Sequence, residues 1–307
     1  MSTEITSVER DADDARGGVA VWSIGIYTGE TPLDLKPAPD ITNPVLCAED
    51  VSDINADFVA DPFMIKAADT WHMFFEVMNA SRDKGEIGLA SSVNGYNWTY
   101  QQIVLSEPFH LSYPDVFCVD GEYYMIPESY EANSIRLYRA EEFPRRWSPV
   151  ATLLEGAWVD PSIFRYEGRW WMFASPCSDE NDELHLFYSD AVRGPWRSHP
   201  MNPIVEKNGE IARPAGRVLV LGDRIIRFTQ DCYQYYGRLV RAFEVSELTT
   251  TTYRERESDR SPVLRGGEPL WRRSGMHHID PHFVDGRWLA CVDGWWHESH
   301  PGDDDDE

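Results

Sequence analysis

One pattern recurs five times along this 307-residue chain and limits its fold more than any other feature. The pattern is an acidic residue beside proline (an arginine in the weakest copy), a short apolar strand, a turn and an aromatic strand. Four copies are clear: ADPFMIKAADTWHMFFE (60–76), YPDVFCVDGEYYMIPES (113–129), VDPSIFRYEGRWWMFAS (159–175) and IDPHFVDGRWLACVDGW (279–295). A weaker one is RPAGRVLVLGDRIIRFTQ (213–230). With Asp61, Asp115, Asp160, Arg213 and Asp280 as markers, the steps are 54, 45, 53 and 67 residues. A period of that size suits propeller blades, which bury their apolar faces only by stacking on neighbours.

Each copy opens with two strands joined by a tight turn, as at Asp120-Gly121 and Asp285-Gly286. Such dipeptides favour the twisted two-residue hairpin. Two further strands follow: GEIGLASS and NWTYQQIVL, then SIRLYRA and WSPVATLL, then ELHLFYSDA and the stretch from Trp196 to Val205. No segment sustains a helical period, so the chain reads as all-β. The fifth copy stops after two strands. The N-terminal stretch WSIGIYTGETPLDLKPAPDITNPV (22–45) supplies the missing pair, and its Asn43-Pro44-Val45 echoes Asn202-Pro203-Ile204. The expectation is a five-bladed β-propeller over 18–298 whose last blade is completed by N-terminal strands. Closure of that kind leaves no open sheet edge. A β-sandwich, the rival fold, does not explain five copies with a charged residue at one point. The acidic segments 1–17 and 299–307 read as disordered tails.

The chain carries 28 basic and 52 acidic residues, a net charge of -24, and only four lysines. Such a surface repels nucleic acid and anionic membranes. It reads either as a solubility surface or as adaptation to a salt-rich cytoplasm, where screening mutes self-repulsion. The five cysteines are scattered without a CxxC pair and read as free thiols of a reducing cytoplasm. No metal or cofactor is expected. The start of the chain has no signal-peptide pattern, and no apolar run is long enough to insert in a membrane.

In a propeller the first strand of every blade lines the central channel. A residue repeated in each copy therefore reappears around one mouth, here Asp61, Asp115, Asp160, Arg213 and Asp280. Asp115 follows its proline by one residue, which sets it two residues deeper on the same face. Carboxylates crowded beside one guanidinium acquire separated pKa values, so that one acts as acid while another acts as base. A single Asp-Pro otherwise does no more than start a strand. Second-strand residues Glu76, Glu128, Gln230 and Asp231 reach comparable positions, either at the rim or in exposed loops. Glu128 is the best of them for a further acid. His278 is expected to hydrogen-bond rather than bind metal, with His277 beside it. Trp170, Trp171, Trp295 and Trp296 either stack on sugars or pack between blades.

The motifs YPDVF, EYYMIPES, DPSIF, GRWWMFA, HPMNPI, ARPAG and TQDCYQYYG resemble the N-terminal propeller domain of the glucosamine inositolphosphorylceramide transferase family. More distantly, the ring position and blade count are similar to family 43 and 32 glycoside hydrolases. The resemblance implies Asp61 as base or nucleophile and Asp160 as the carboxylate that tunes or stabilises. Those hydrolases place a glutamate acid at the start of blade four, where this chain has Arg213. Glu128 or Glu210 would have to replace it, or the leaving group is a phosphate held by Arg213. Three functions follow: transfer or trimming of a glycosyl unit in glycan assembly, glycoside hydrolysis, or sugar binding without turnover. In each the partner is a sugar, a glycan or a sugar phosphate.

Overall fold

The structure, a computed structural model, describes residues 19–298. The two expected tails lie outside the described residues. Five antiparallel sheets follow one another as the blades of a propeller. Strands β1 (Val19–Thr31) and β2 (Asp34–Pro37) come first in the chain but belong to the last blade.

Blade one is β3 (Ala56–Ala67), β4 (Thr70–Asn79), β5 (Lys84–Ser92) and β6 (Thr99–Leu105). Blade two is β7 (Ser112–Val119), β8 (Glu122–Glu128), β9 (Ser134–Glu142) and β10 (Arg146–Glu155). Blade three is β11 (Trp158–Tyr166), β12 (Arg169–Pro176), β13 (His185–Ser189) and the two-residue β14 (Arg197–Ser198). Blade four has β15 (Leu219–Leu221), β16 (Arg224–Asp231), β17 (Leu239–Leu248) and β18 (Tyr253–Glu257). A short β19 (Leu264–Arg265) adds to the inner end of β17. Blade five joins β20 (Ile279–Val284) and β21 (Arg287–Glu298) to β1 and β2, in the order β20-β21-β1-β2. The register of β1 on β21 is unbroken from Val19↔Glu298 to Gly29↔Trp288. The expected closure is thus present, and it is the most extensive strand pairing in the molecule.

The alternation of each strand sends one face to each neighbouring blade. Met64, Met73, Phe75 and Val77 of blade one meet Ile24, Ile26 and Leu289 of blade five. The opposite face, with Phe74, Ile87 and Leu89, meets Val116, Met125 and Tyr138 of blade two. Burying each large apolar side chain contributes about 1.5–3 kcal/mol, so the ring is held by its inter-blade seams.

Blade four departs from the expected pattern at its start. Residues 213–218 are not a regular strand; Pro214 bridges Thr229 and Gly216 bridges Ile279 of blade five in parallel. Gly216 has φ +114, and a Cβ there would sit 1.9 Å from the Ile279 carbonyl oxygen. Only glycine permits this approach, and it draws the Arg213 segment onto the last blade.

Candidate functional site

The markers lie at two depths. Phe63, Asp115, Ser162 and Asp280 pair opposite equivalent second-strand residues: Phe74, Ile126, Phe173 and Cys291. They form the lower ring. Asp61, Tyr113, Asp160 and Arg213, each preceding a proline, form the upper ring with His278. Asp280 was expected among the upper set; it sits two residues deeper, like Asp115, and His278 takes its place. The cause is a bulge. Blades one to three shift register between Ala60 and Phe63, Ser112 and Asp115, and Val59-equivalent Val159 and Ser162. The β20–β21 pairing has no such shift. Asp61, Tyr113 and Asp160 consequently adopt φ of 51°, 45° and 49°. A left-handed residue ahead of proline is strained, and such strain concentrates at functional sites.

The lower ring is a lock between blades. Asp280 Oδ2 accepts the backbone N–H of Met64 at 2.6 Å, and Asp115 Oδ2 that of Ile163 at 3.1 Å. Arg217 lies between them, 2.5 Å from Asp280 Oδ1 and 3.4 Å from Asp115 Oδ1. Burial opposes ionisation of Asp280, but Arg217 and His282 outweigh it and hold its carboxyl well below the usual range. Burial dominates at Asp115 and lifts it to about 6 despite Arg217. Both aspartates are completely buried. The greater depth was expected of Asp115 but not of Asp280; both lie below the upper ring.

A floor separates this lock from the pit above. Phe63, Tyr113 and His278 meet edge to face, with ring centroids 4.6–5.2 Å apart. The Tyr113 hydroxyl is 2.7 Å from Ser162 Oγ and donates to the Gly216 carbonyl at 3.0 Å, reaching from blade two to blades three and four. Tyr113 thereby ties three blades together beneath the upper ring.

Above the floor two ion clusters face each other. In one, Asp160 Oδ2 accepts from Arg213 Nε at 2.5 Å and from Gln230 Nε2 at 3.0 Å. Arg213 also donates to Asn181 Oδ1 at 2.9 Å and lies 3.8 Å from Glu128. Glu128 Oε2 accepts the backbone N–H of Asp160 at 2.8 Å. In the other, Asp293 accepts the backbone N–H groups of Asp61 (3.0 Å), His277 (3.2 Å) and His278 (3.0 Å). It also meets His277 Nδ1 at 2.8 Å. Asp61 Oδ1 faces two imidazoles, 3.3 Å from His278 Nδ1 and 3.7 Å from His277 Nε2.

These contacts set the charges. Burial alone would lower His277, but Asp293 and Asp61 lift it to about 9. Burial pushes Asp61 up, and His277, His278 and Arg213 reverse this, holding its carboxyl below the ordinary value. Burial drives Asp160 up; Arg213 opposes it and the Asp61 charge adds to it. The two aspartates are thus shifted in opposite directions. The roof is aromatic: Trp22 lies 4.1 Å from the His277 ring, and the half-buried Tyr236 lies 5.3 Å from it. Tyr236 also stacks 4.9 Å from the Arg213 guanidinium.

The pit unites Asp61, Asp160, Glu128, Arg213, Gln230 and His278 of the expected residues. Asp231 is not among them: it is buried between Arg238 and Arg241, at 2.5 and 2.6 Å, because alternation along β16 turns it away from Gln230. Glu76 faces His110 at 3.4 Å, and Glu210 faces Arg241 at 3.5 Å near the surface. Trp170, Trp171 and Trp295 are buried packing residues. Asp293, Tyr113, Asn181 and Tyr236 were missed. One signal would have found Asp293. From Asp61, Tyr113, Asp160 and His278 a step of 15 residues leads to Glu76, Glu128, Ser175 and Asp293. Among the described residues, ligand atoms of Asp61, His277 and Asp293 lie within 4.8 Å of one another. The imidazole–carboxylate bond of His277 and Asp293 accounts for that closeness.

These features define a five-bladed propeller with buried carboxylates clustered at its centre. The chain belongs to the family described as "Glucosamine inositolphosphorylceramide transferase 1, N-terminal", which it matches over residues 12–295. It is 36% identical over 304 residues to glucosamine inositolphosphorylceramide transferase 1 of Oryza sativa subsp. japonica. It is 35% identical over 295 residues to the protein of that name in Arabidopsis thaliana. The matches take in 90% and 89% of this chain but only 40% and 39% of those relatives. Among solved structures, a thermostable family-43 glycoside hydrolase superposes with a TM-score of 0.58 at 16% identity, covering 83% of this chain and 99% of that one. The alpha-L-arabinanase of Cellvibrio cellulosa gives 0.53 at 22% identity, covering 76% and 86%. These likenesses speak to the fold.

Proposed function

We propose that the pit seats a sugar unit of a glycan against Tyr236 and that Asp61 acts there as base or nucleophile in moving or trimming a glycosyl group. One observation carries this reading: Asp61 is buried, its Oδ1 faces two imidazoles at 3.3 and 3.7 Å, and His277, His278 and Arg213 hold its carboxyl below the ordinary value. A buried carboxyl kept ionised by its neighbours is in the form that a base or nucleophile requires. Asp160, paired with Arg213 at 2.5 Å, is placed to stabilise, as a carboxylate, positive charge developing on the sugar ring. The relatives' names, which join glucosamine to an inositol phosphoryl lipid, support a glycan as substrate.

Transfer from a glycosyl phosphate is favoured over hydrolysis of a glycoside, because a phosphate leaves with the bonding electrons without being protonated and the glutamates nearest the pit are already engaged. Glu128 Oε2 accepts a backbone N–H beside Arg213, and Glu210 is paired near the surface. That same observation favours, as a second reading, sugar binding without turnover. Titrating the chain with a glycan panel, followed by turnover assays on aryl glycosides (furanosides included) and glycosyl phosphates, tests both. Turnover abolished by Asp61→Asn supports the first reading. Binding without turnover supports the second. Turnover that survives Asp61→Asn, or no glycan bound at all, removes the role given to the pit.

A further inference from the structure

Arg213 was the expected holder of an anionic group, but each of its nitrogens faces a protein oxygen: Asp160, Asn181 and Glu128. A different cluster of arginines lies just outside the pit. Loop 232–238 forms the wall between the two. Its Tyr236 faces Arg213 and His277 in the pit, while the adjacent Tyr235 lines a cavity of about 290 Å³ on the other side. Arg238, Arg265 and Arg273 line that cavity with Gln234 and Ser274, and no carboxylate does. This is unexpected in a chain where acids outnumber bases 52 to 28.

The arginines that line the cavity are unevenly paired. Arg238 meets Asp231, which it shares with Arg241, and Arg241 is met in addition by Glu257 at 3.0 Å and Glu210 at 3.5 Å. Arg273 meets the exposed Glu268 at 3.0 Å, a solvent-screened pair. Arg265 is exposed and has no ion pair among the described residues. Arg272, by contrast, turns to the carbonyls of Arg265 and Glu268 and ties the loop together. The cavity is also built rather than incidental. The Tyr235 hydroxyl donates to the Ser274 carbonyl at 3.2 Å. A Cβ on Gly275 would lie 2.0 Å from the Gly237 carbonyl oxygen, so glycine is needed for the two walls to meet.

We propose that this cavity is an oxyanion subsite, taking a phosphate or carboxylate carried by the glycan whose sugar occupies the pit. Guanidinium groups suit both because their planar forks donate paired hydrogen bonds to such oxygens. The placement rests on the reading of the pit given above; the anion binding itself does not.

Inorganic phosphate is the first probe, titrated calorimetrically into the full chain, with glucose 1-phosphate, glucuronic acid and methyl glucoside as further arms. Phosphate should bind, more weakly as sodium chloride is added. The Arg265→Ala/Arg273→Ala double variant should lose about tenfold or more in phosphate affinity, since each removes charge-assisted hydrogen bonds, with an unchanged melting temperature. Asp61→Asn should leave phosphate binding intact. Glucose 1-phosphate and glucuronic acid distinguish a phosphate-bearing from a carboxylate-bearing glycan. Phosphate affinity unaltered in the double variant, or no phosphate binding by the parent chain, overturns the subsite while leaving the pit untouched. Phosphate bound with no glycan bound upholds the subsite and removes the reading of the pit.

Discussion

Glu128 and Asp293 hold the same position in blades two and five and make the same bond to the next blade. Each carboxylate accepts the backbone N–H of a left-handed aspartate, Asp160 at 2.8 Å and Asp61 at 3.0 Å. The strained bulges that carry the pit's two aspartates are thus pinned from the neighbouring blade.

Asp293 carries the heavier role, because it also accepts from the His277 and His278 amides and pairs with the His277 ring. Asp293→Ala would leave three buried N–H groups and one imidazolium unpaired. A loss of about 3–5 kcal/mol is expected, read by urea unfolding. A loss below about 1 kcal/mol would contradict the pinning role.

Asp61 separates stability from chemistry. Asparagine tolerates the left-handed backbone almost as well as aspartate, whereas alanine does not. Asp61→Asn should therefore stay within about 1 kcal/mol of the parent in stability while Asp61→Ala loses roughly 1–2 kcal/mol more. Equal melting temperatures for the two variants would argue against strain at this residue.

His277 gives the fold a pH signature. It holds its proton to about 9 in the folded chain, against an ordinary value of 6.5. Between those limits the folded state binds more protons than the unfolded one, so stability falls as pH rises. The slope from this group approaches about 1.4 kcal/mol per pH unit. His277→Gln should flatten the decline between pH 6.5 and 9 relative to the parent. A parallel decline in both would assign it elsewhere.

Arg213 lies between Asp160 and Glu128, all three buried. Arg213→Ala leaves two carboxylates confined together and should cost about 3–5 kcal/mol. The double variant Arg213→Ala/Asp160→Ala should recover part of that loss. A strictly additive double-mutant cycle would show that the pair is not coupled.

Tyr236 is half-buried over the pit, in the loop between β16 and β17. Tyr236→Ala should weaken glycan binding by about 1 kcal/mol, the worth of an aromatic contact, with little change in melting temperature. Unchanged affinity would remove the ring from the sugar's path.

The blades and their closure were legible because strand alternation and turn residues repeat, and because the fifth copy visibly lacked two strands. The depth of the pit was not. Four upper-ring residues precede a proline, but so does Asp280, whose strand lacks the bulge and carries it two residues down. A bulge has no composition of its own; here it shows only in pairing register. Asp293 was visible as a constant step of 15 residues once His278, not Asp280, marked blade five. Tyr236 and Asn181 come from loops outside the repeat, where periodicity has nothing to say.

The pairing of Val19 with Glu298 brings the two ends of the ring side by side. Three residues further in, Trp22 and Trp295 are paired, and Trp22 covers His277. A short linker between these ends, with the chain reopened at the exposed Asp120-Gly121 turn, should yield a circular permutant with the ring intact. A protein joined directly before Val19 or after Glu298 would start three residues from the Trp22–Trp295 pair and so lie close to the ring that covers His277.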